Sequence, residues 1–366
     1  MPSRFPLPAA LCVVLLFFLP AAAPTAPNVS AAEALERAIQ RGLEESAGGS
    51  YAHALATFGK IAEQNPARPE GPFFRAAVYQ ILLGHFDRPD YRAGFKENSA
   101  LAVSRAEALI RRNPGDAKGH LFLGLSRGMI AIEASKKRHY ITAFRHGRKF
   151  SASMERALAL DPTLEDAYYG LGLYHYWRSR IPVLRAVSKT LRRAGEQGMA
   201  YLRRAAERGR WLKNLARIEL VWALYQEKRF AEARKALAPL IARYPGQPFY
   251  AFARAEGYYR ERKFARARKE YAAIWYDFRT SDDDLASLYR DFSEWRVVRS
   301  NYELGHLVEA ERGARRVAAK LDRGSPLLRR VRVAAAHLRD SLAGEDFAED
   351  SPPRSRAGRE GAAKGK

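Results

Sequence analysis

Tyr51-Ala52-His53-Ala54-Leu55-Ala56-Thr57-Phe58-Gly59-Lys60-Ile61-Ala62-Glu63-Gln64-Asn65-Pro66 is the stretch on which the fold turns. Tyr51, Ala54, Phe58 and Ile61 are spaced by three and four residues, which places them on one stripe of a helix. The stripe alternates large and small side chains. A small residue such as Ala54 lets a second helix approach to within 8–10 Å, and Gly42, twelve residues earlier, offers the matching small residue on a preceding helix. Pro66 has no amide hydrogen and pushes Asn65 out of the α region, so the helix ends there. Two short helices joined by a tight turn, each with one apolar stripe, bury those stripes only against each other and against another such pair.

The same marks return along the chain. Asn65-Pro66, Asn113-Pro114 and Asp161-Pro162 stand 48 residues apart, as do Leu123-Gly124 and Leu171-Gly172, and Ala157 and Ala205. Further on the step shortens to 34: Phe230-Ala231-Glu232-Ala233 returns as Phe264-Ala265-Arg266-Ala267, and Tyr225 returns as Tyr259. A degenerate copy reads Gly305-His306-Leu307-Val308-Glu309-Ala310. A period of 20–50 residues with helical text between the marks means a stacked repeat rather than one compact core.

The set resembles the tetratricopeptide repeat (TPR), whose second helix asks for an aromatic, then Ala, then a large residue, with Pro closing the unit. Tyr51, Ala54, Phe58, Ile61 and Pro66 meet those spacings, and Tyr168 stands where the family usually has Trp. Val221 departs from the small crossing residue, and Pro72 and Arg75 replace a Trp and a Leu. The resemblance implies an all-α fold, an α-α superhelix of about seven helix-turn-helix repeats near 35–68, 69–116, 117–164, 165–212, 213–247, 248–281 and 284–322, with a capping helix at 325–341. The solenoid spans 32–342 between a leader at 1–31 and a disordered tail at 343–366. The repeats of 48 carry roughly 14 residues more than 34, about four helical turns. The second and third repeats are expected to lengthen both helices. In the fourth, Pro182 should end the first helix, and Val183 to Arg193 should form a short basic extra helix. Gly170-Leu171-Gly172-Leu173-Tyr174-His175-Tyr176-Trp177 followed by Pro182 is also similar to long-helix bacterial TPR proteins distantly similar to the TTC39 and Iml2 proteins of eukaryotes. No enzymatic activity comes with either resemblance.

The ends set the expected location. Arg4, an apolar run from Ala9 to Leu19, Pro20, and small residues through Ala32 read as a signal peptide, too short to span a bilayer. A periplasmic or extracellular protein, possible envelope association included, is the expectation. Cys12, the sole cysteine, lies in that leader, so thiol catalysis, disulfides and Cys-based metal sites are excluded from the mature chain. The net charge is +23. That basicity suits an anionic membrane or polysaccharide surface. Nucleic acid is not expected, because neither a groove-reading helix nor an aromatic sheet is present.

No HExxH, Gly-rich phosphate loop or GxSxG stands in the chain, so no catalytic residue, cofactor or metal is expected. His139 and His146 share a helical face with Arg138, Arg145, Arg148 and Lys149, which repel a cation; the face reads as basic and solvated. Asp282-Asp283-Asp284 before Leu285 reads as a helix N-cap. His85, His120 and His175 read as packing residues. Arg185, Lys189, Arg192 and Arg193 beside Val183, Leu184, Val187 and Leu191 form a basic amphipathic stretch, either a cover for the solenoid or a membrane contact. Carried over from the family's inner-groove positions, Tyr169, Tyr176, Trp177, Trp222, Tyr225, Phe252, Tyr259 and Arg260 either pack between neighbouring first helices or form a partner surface for a protein or peptide. The expected function is that of an exported, non-enzymatic scaffold or adaptor binding through a concave groove. The alternative is a peripheral membrane-surface or envelope-complex accessory protein that uses its basic helical faces.

Overall fold

The computed structural model describes residues 30–86, 88–180, 189–320 and 326–343, which form fifteen helices and no strand. The helices come as antiparallel pairs. α1 (Ala31–Ala47) pairs with α2 (Tyr51–Gln64), α3 (Glu70–Phe86) with α4 (Pro89–Arg112), and α5 (Ala117–Lys136) with α6 (Tyr140–Leu160). α7 (Ala167–Ser179) pairs with α8 (Lys189–Arg208), α9 (Lys213–Gln226) with α10 (Phe230–Arg243), and α11 (Pro248–Arg260) with α12 (Phe264–Asp277). α13 (Asp284–Glu303) pairs with α14 (Leu307–Lys320), and α15 (Pro326–Leu342) closes the row.

Small residues sit where paired helices cross. A Cβ on Gly172 would stand 2.8 Å from Leu202 Cγ and 2.9 Å from its backbone nitrogen, so only glycine fits there. Gly42 meets the Phe58 ring in the same way in the first pair. Ala54, Ala233, Ala267 and Ala310 are fully buried at the equivalent crossings of their second helices. At Asn113 and Asp161 the backbone turns extended just before Pro114 and Pro162, and at Asn65 it leaves the α region just before Pro66, ending α4, α6 and α2 as the proline rule requires.

The turns within pairs share one geometry. Gly49, Arg138, Lys228, Arg262 and Gly305 all have positive φ, and each stands two residues before its second helix begins, at Tyr51, Tyr140, Phe230, Phe264 and Leu307. Asp283 caps α13, its Oδ1 accepting from Ala286 N at 2.8 Å, so part of the acidic run is a helix cap. α15 lays Leu328, Val331, Ala335, Leu338 and Leu342 on the last core cluster and turns Arg329 and Arg330 to water.

In the fourth pair α7 stops before Pro182, but α8 runs unbroken from Lys189 to Arg208. Lys189, Arg192 and Arg193 therefore belong to the long second helix and not to a separate extra one; the remainder of the expected extra helix, 183–188, lies outside the described residues, as does most of the leader. No described helix is long and apolar enough to cross a membrane.

The row of pairs curls until its beginning meets its later repeats. α1 lies across the loop between α8 and α9, where Glu36 accepts from Trp211 Nε1 at 3.0 Å and from Arg210 Nε at 2.7 Å. Further along α1, Glu44 pairs with Arg243 and accepts from Tyr244 Oη at 2.8 Å. At the other end of the first two pairs, His85 of α3 packs edge-on against Tyr289 of α13 and Phe249 of α11, and α15 also touches α3.

Candidate partner-binding surface

The first helices α7, α9 and α11 each turn aromatics toward the next first helix. Tyr176 is 1% exposed; its hydroxyl lies 3.1 Å from the carbonyl of Ala223 and 3.2 Å from Glu227, to both of which it donates. Tyr225 repeats the device one pair later, donating to Ala253 O at 3.0 Å. Tyr169 is buried as well, its phenol pushed far up by burial and by the charge of Glu219. These three rings are core. A buried phenol needs a partner for its hydroxyl, and the carbonyls of the next helix supply it for Tyr176 and Tyr225. The expectation that they line an open partner surface is corrected on that ground.

The rest of the set is divided. Phe252 is half-buried among Tyr271, Tyr289 and Phe292. Tyr259 is half-buried between the Phe264 ring and the Arg296 guanidinium, 4.8 Å from its centre. Trp222 is half-buried under Arg260, whose guanidinium lies 5.7 Å from the ring centre. Arg260 also bonds Glu256 at 2.9 Å, so its charge is already paired within the chain. Trp177 alone of the eight stays wide open, 47% exposed, beside the buried ring of Tyr176.

Ion pairs stitch the same faces together. Arg180, at the end of α7, reaches Glu227, at the end of α9, at 2.7 Å. Two pairs later Arg296 of α13 reaches Glu256 Oε2 of α11 at 2.7 Å, and Tyr271 donates to the same oxygen at 2.8 Å. A chain of such contacts from one first helix to the next, crossings set by small residues, and one shared turn geometry are what a helical-repeat solenoid requires. The chain is folded as an α-α superhelix of stacked helix pairs.

No family model matches the sequence, and no curated protein matches it. Among solved structures, TTC0263, a thermophilic TPR protein of Thermus thermophilus, is similar at 17% identity and a TM-score of 0.39, over 61% of this chain and 98% of that one. The human IFIT1 dimer with m7Gppp-AAAA is similar at 15% identity and a TM-score of 0.42, over 84% and 71%. The P58(IPK) TPR domain is similar at 11% identity and a TM-score of 0.26, over 84% and 99%.

The curl of this superhelix was not visible in its repeats. Trp211 is the centre of the contact. It is buried against Phe122, with Lys118 and Arg210 over its ring, and Asp166 accepts from the amides of Arg210, Trp211 and Leu212 at 2.7–3.1 Å. Burial pushes the Glu36 carboxyl up, but hydrogen bonds from Gln40, Arg210 and Trp211 and the Arg210 charge more than offset it, so Glu36 titrates below the usual range. Charge of one sign gathers elsewhere, on the α5–α6 hairpin. There His139 is exposed and His146 half-buried, and burial together with Arg127, Lys149 and Arg145 holds His146 below its ordinary value.

Proposed function

We propose that the protein is an exported, non-enzymatic scaffold that holds a protein or peptide partner on the inner face of its superhelix. The observation that carries this is Trp177. It occupies an inner-face position of the TPR register, and it is the one large ring of that set left open while its neighbours are pegged into the core. An exposed Trp on a rigid helix is a low-entropy anchor for a partner. Arg180 and Glu227 beside Tyr176 supply paired charges at the edge of the same surface.

The test places a photo-cross-linking amino acid at Trp177 and, as control, at Lys60, which is exposed on α2. A discrete product at position 177 that is absent at position 60, with Trp177→Ala melting like the wild type and capturing less of the same partner, is the expected result. Identical products at both positions would remove the inner face from consideration. Export rests on the leader's composition, and an intact mass beginning between about Pro24 and Ala34 in exported protein is its check. The second reading, attachment to an anionic envelope surface, is favoured by the α5–α6 hairpin.

A further inference from the structure

The α5–α6 hairpin differs from the four other pairs that share its turn in what that turn exposes. Tyr51, Phe230, Phe264 and Leu307 open their second helices just past the shared turn, and all four are half-buried. Tyr140 opens α6 after the same turn geometry and is 65% exposed; Ile141 and Phe144 beside it are 79% and 66% exposed. The cause is length. Tyr51 precedes Pro66, and Phe230 precedes Pro245, by 15 residues, whereas Tyr140 precedes Pro162 by 22. Seven more residues are two helical turns, so the tip stands about 10 Å beyond the stack. Among the described residues nothing covers its apolar side chains there.

The charge around the tip is of one sign. From Ala134 to Met154 there is no Asp or Glu, while Lys136, Lys137, Arg138, Arg145, Arg148 and Lys149 all fall in that stretch and are exposed. Lys136 is paired, with Glu133 at the foot of the turn. Arg145 and Arg148 each follow an exposed apolar residue, Ile141 and Phe144, by four positions, about 6 Å further back along the helix. The order from the tip inward is therefore an apolar cluster among cations, then a second cationic tier. An apolar cluster that is meant only to be solvated has no use for that order, and a protein partner matching it would need an acidic rim around an apolar pocket. A bilayer carrying anionic headgroups presents both layers over its whole surface: phosphates at the depth of the cations and acyl chains some 5–10 Å below.

We propose that the α5–α6 tip is a membrane foot, which seats Tyr140, Ile141 and Phe144 at the headgroup–acyl boundary of an anionic phospholipid bilayer while the surrounding Lys and Arg side chains meet lipid phosphates. It deepens the second reading above and does not depend on Trp177. The foot attaches the superhelix without a spanning segment and leaves its inner face free.

The experiment uses flotation of the full chain with vesicles. Vesicles of phosphatidylcholine with about a third phosphatidylglycerol are expected to carry the wild type at 0.1 M salt, and pure phosphatidylcholine vesicles are not; 0.5 M salt should release it. Ile141→Asp with Phe144→Asp should lower the partition coefficient at least tenfold, and Arg138→Glu with Lys149→Glu by a similar factor, since each cation near the surface contributes roughly fivefold. Both variants should melt like the wild type, because these positions are exposed. Cys12→Ser removes the chain's sole cysteine, so an environment-sensitive dye on an Ile141→Cys variant in that background should shift to the blue with anionic vesicles only. Binding that ignores lipid charge, survives the double Asp change or leaves the dye unshifted overturns the foot. So does a dimer in sedimentation that the Asp changes dissociate, which would make the tip a contact between copies. Trp177→Ala should float unchanged; loss of flotation there would move the membrane contact to the inner face.

Discussion

At the scale of single residues, Glu219 of α9 is the group most at odds with its surroundings. Burial pushes its carboxyl up to about 7, and its charge helps raise the buried Tyr169 phenol. A carboxyl whose folded value lies above its unfolded one favours folding in its protonated form. Its unfavourable charge therefore begins to weaken the fold as pH rises past about 4.5 and does so fully above about 7. Glu219→Gln is expected to stabilise the protein by roughly 1–3 kcal/mol at pH 8 and by little at pH 5. Urea denaturation of both forms at the two pH values measures this, and an equal effect at both would refute it. Residue identities made the crossings legible in advance, since Gly42 and Gly172 stand where no larger side chain fits. They did not separate Trp177 from Tyr176. Both stand at positions that the repeat register reads as inner-face, and only the approach of the α9 carbonyl decides that one ring is a peg and the other is open.

At the scale of elements, five of the seven intra-pair turns are one device built from three kinds of residue. Gly49 and Gly305 take positive φ without strain, whereas Arg138, Lys228 and Arg262 take φ of 59–64° against the preference of a side chain with a Cβ. Lys228→Gly is expected to relieve this and raise stability by about 0.5–1 kcal/mol, and Lys228→Val to lower it by more, because a β-branched residue tolerates the left-handed region worst. Melting temperatures of the two variants against wild type give the answer; a destabilising Gly would show that Lys228 contributes something its geometry does not reveal. The sequence offered the helix pairs through their apolar stripes and closing prolines. It concealed the common turn, because a Lys or Arg in the left-handed region is not announced by its type. The continuous α8 was concealed by Pro182, a true stop for α7 that says nothing of where the next helix begins.

At the scale of the molecule, one of the contacts that close the curl carries a titrating ring. His85 is held down to about 4 by burial among Phe249, Tyr289 and Phe86. A histidine depressed in the folded state stabilises it above the unfolded value near 6.5, and that stability is lost as pH falls from 6.5 toward 4. The loss should reach roughly 2 kcal/mol by pH 5. His85→Phe should flatten this part of the pH profile, while the carboxylates common to both forms continue to titrate. Hydrogen exchange at the end of α3 and in α11 should quicken at pH 5 in the wild type only. Parallel profiles for the two proteins would mean that the ring contributes no pH dependence. The sequence had marked His85 as a packing residue, but not against what. Phe249 and Tyr289 lie more than 160 positions away, and repeat periodicity describes neighbours, not the pitch at which a stack meets itself.

The latch of Glu36 on Trp211 joins residues 175 positions apart in a chain whose other contacts run mostly from one pair to the next. At a synthesis rate of roughly 5–20 residues per second, α1 emerges about 10–35 s before the loop that will hold it. For that interval the nascent protein is an open arc whose first helix has one neighbour in place of two. A stack bound only between neighbours frays from whichever end is weaker. Fastened across its own turn, this one gives its earliest-made helix a stake in the latest-made half, so that loosening either end is felt at the other.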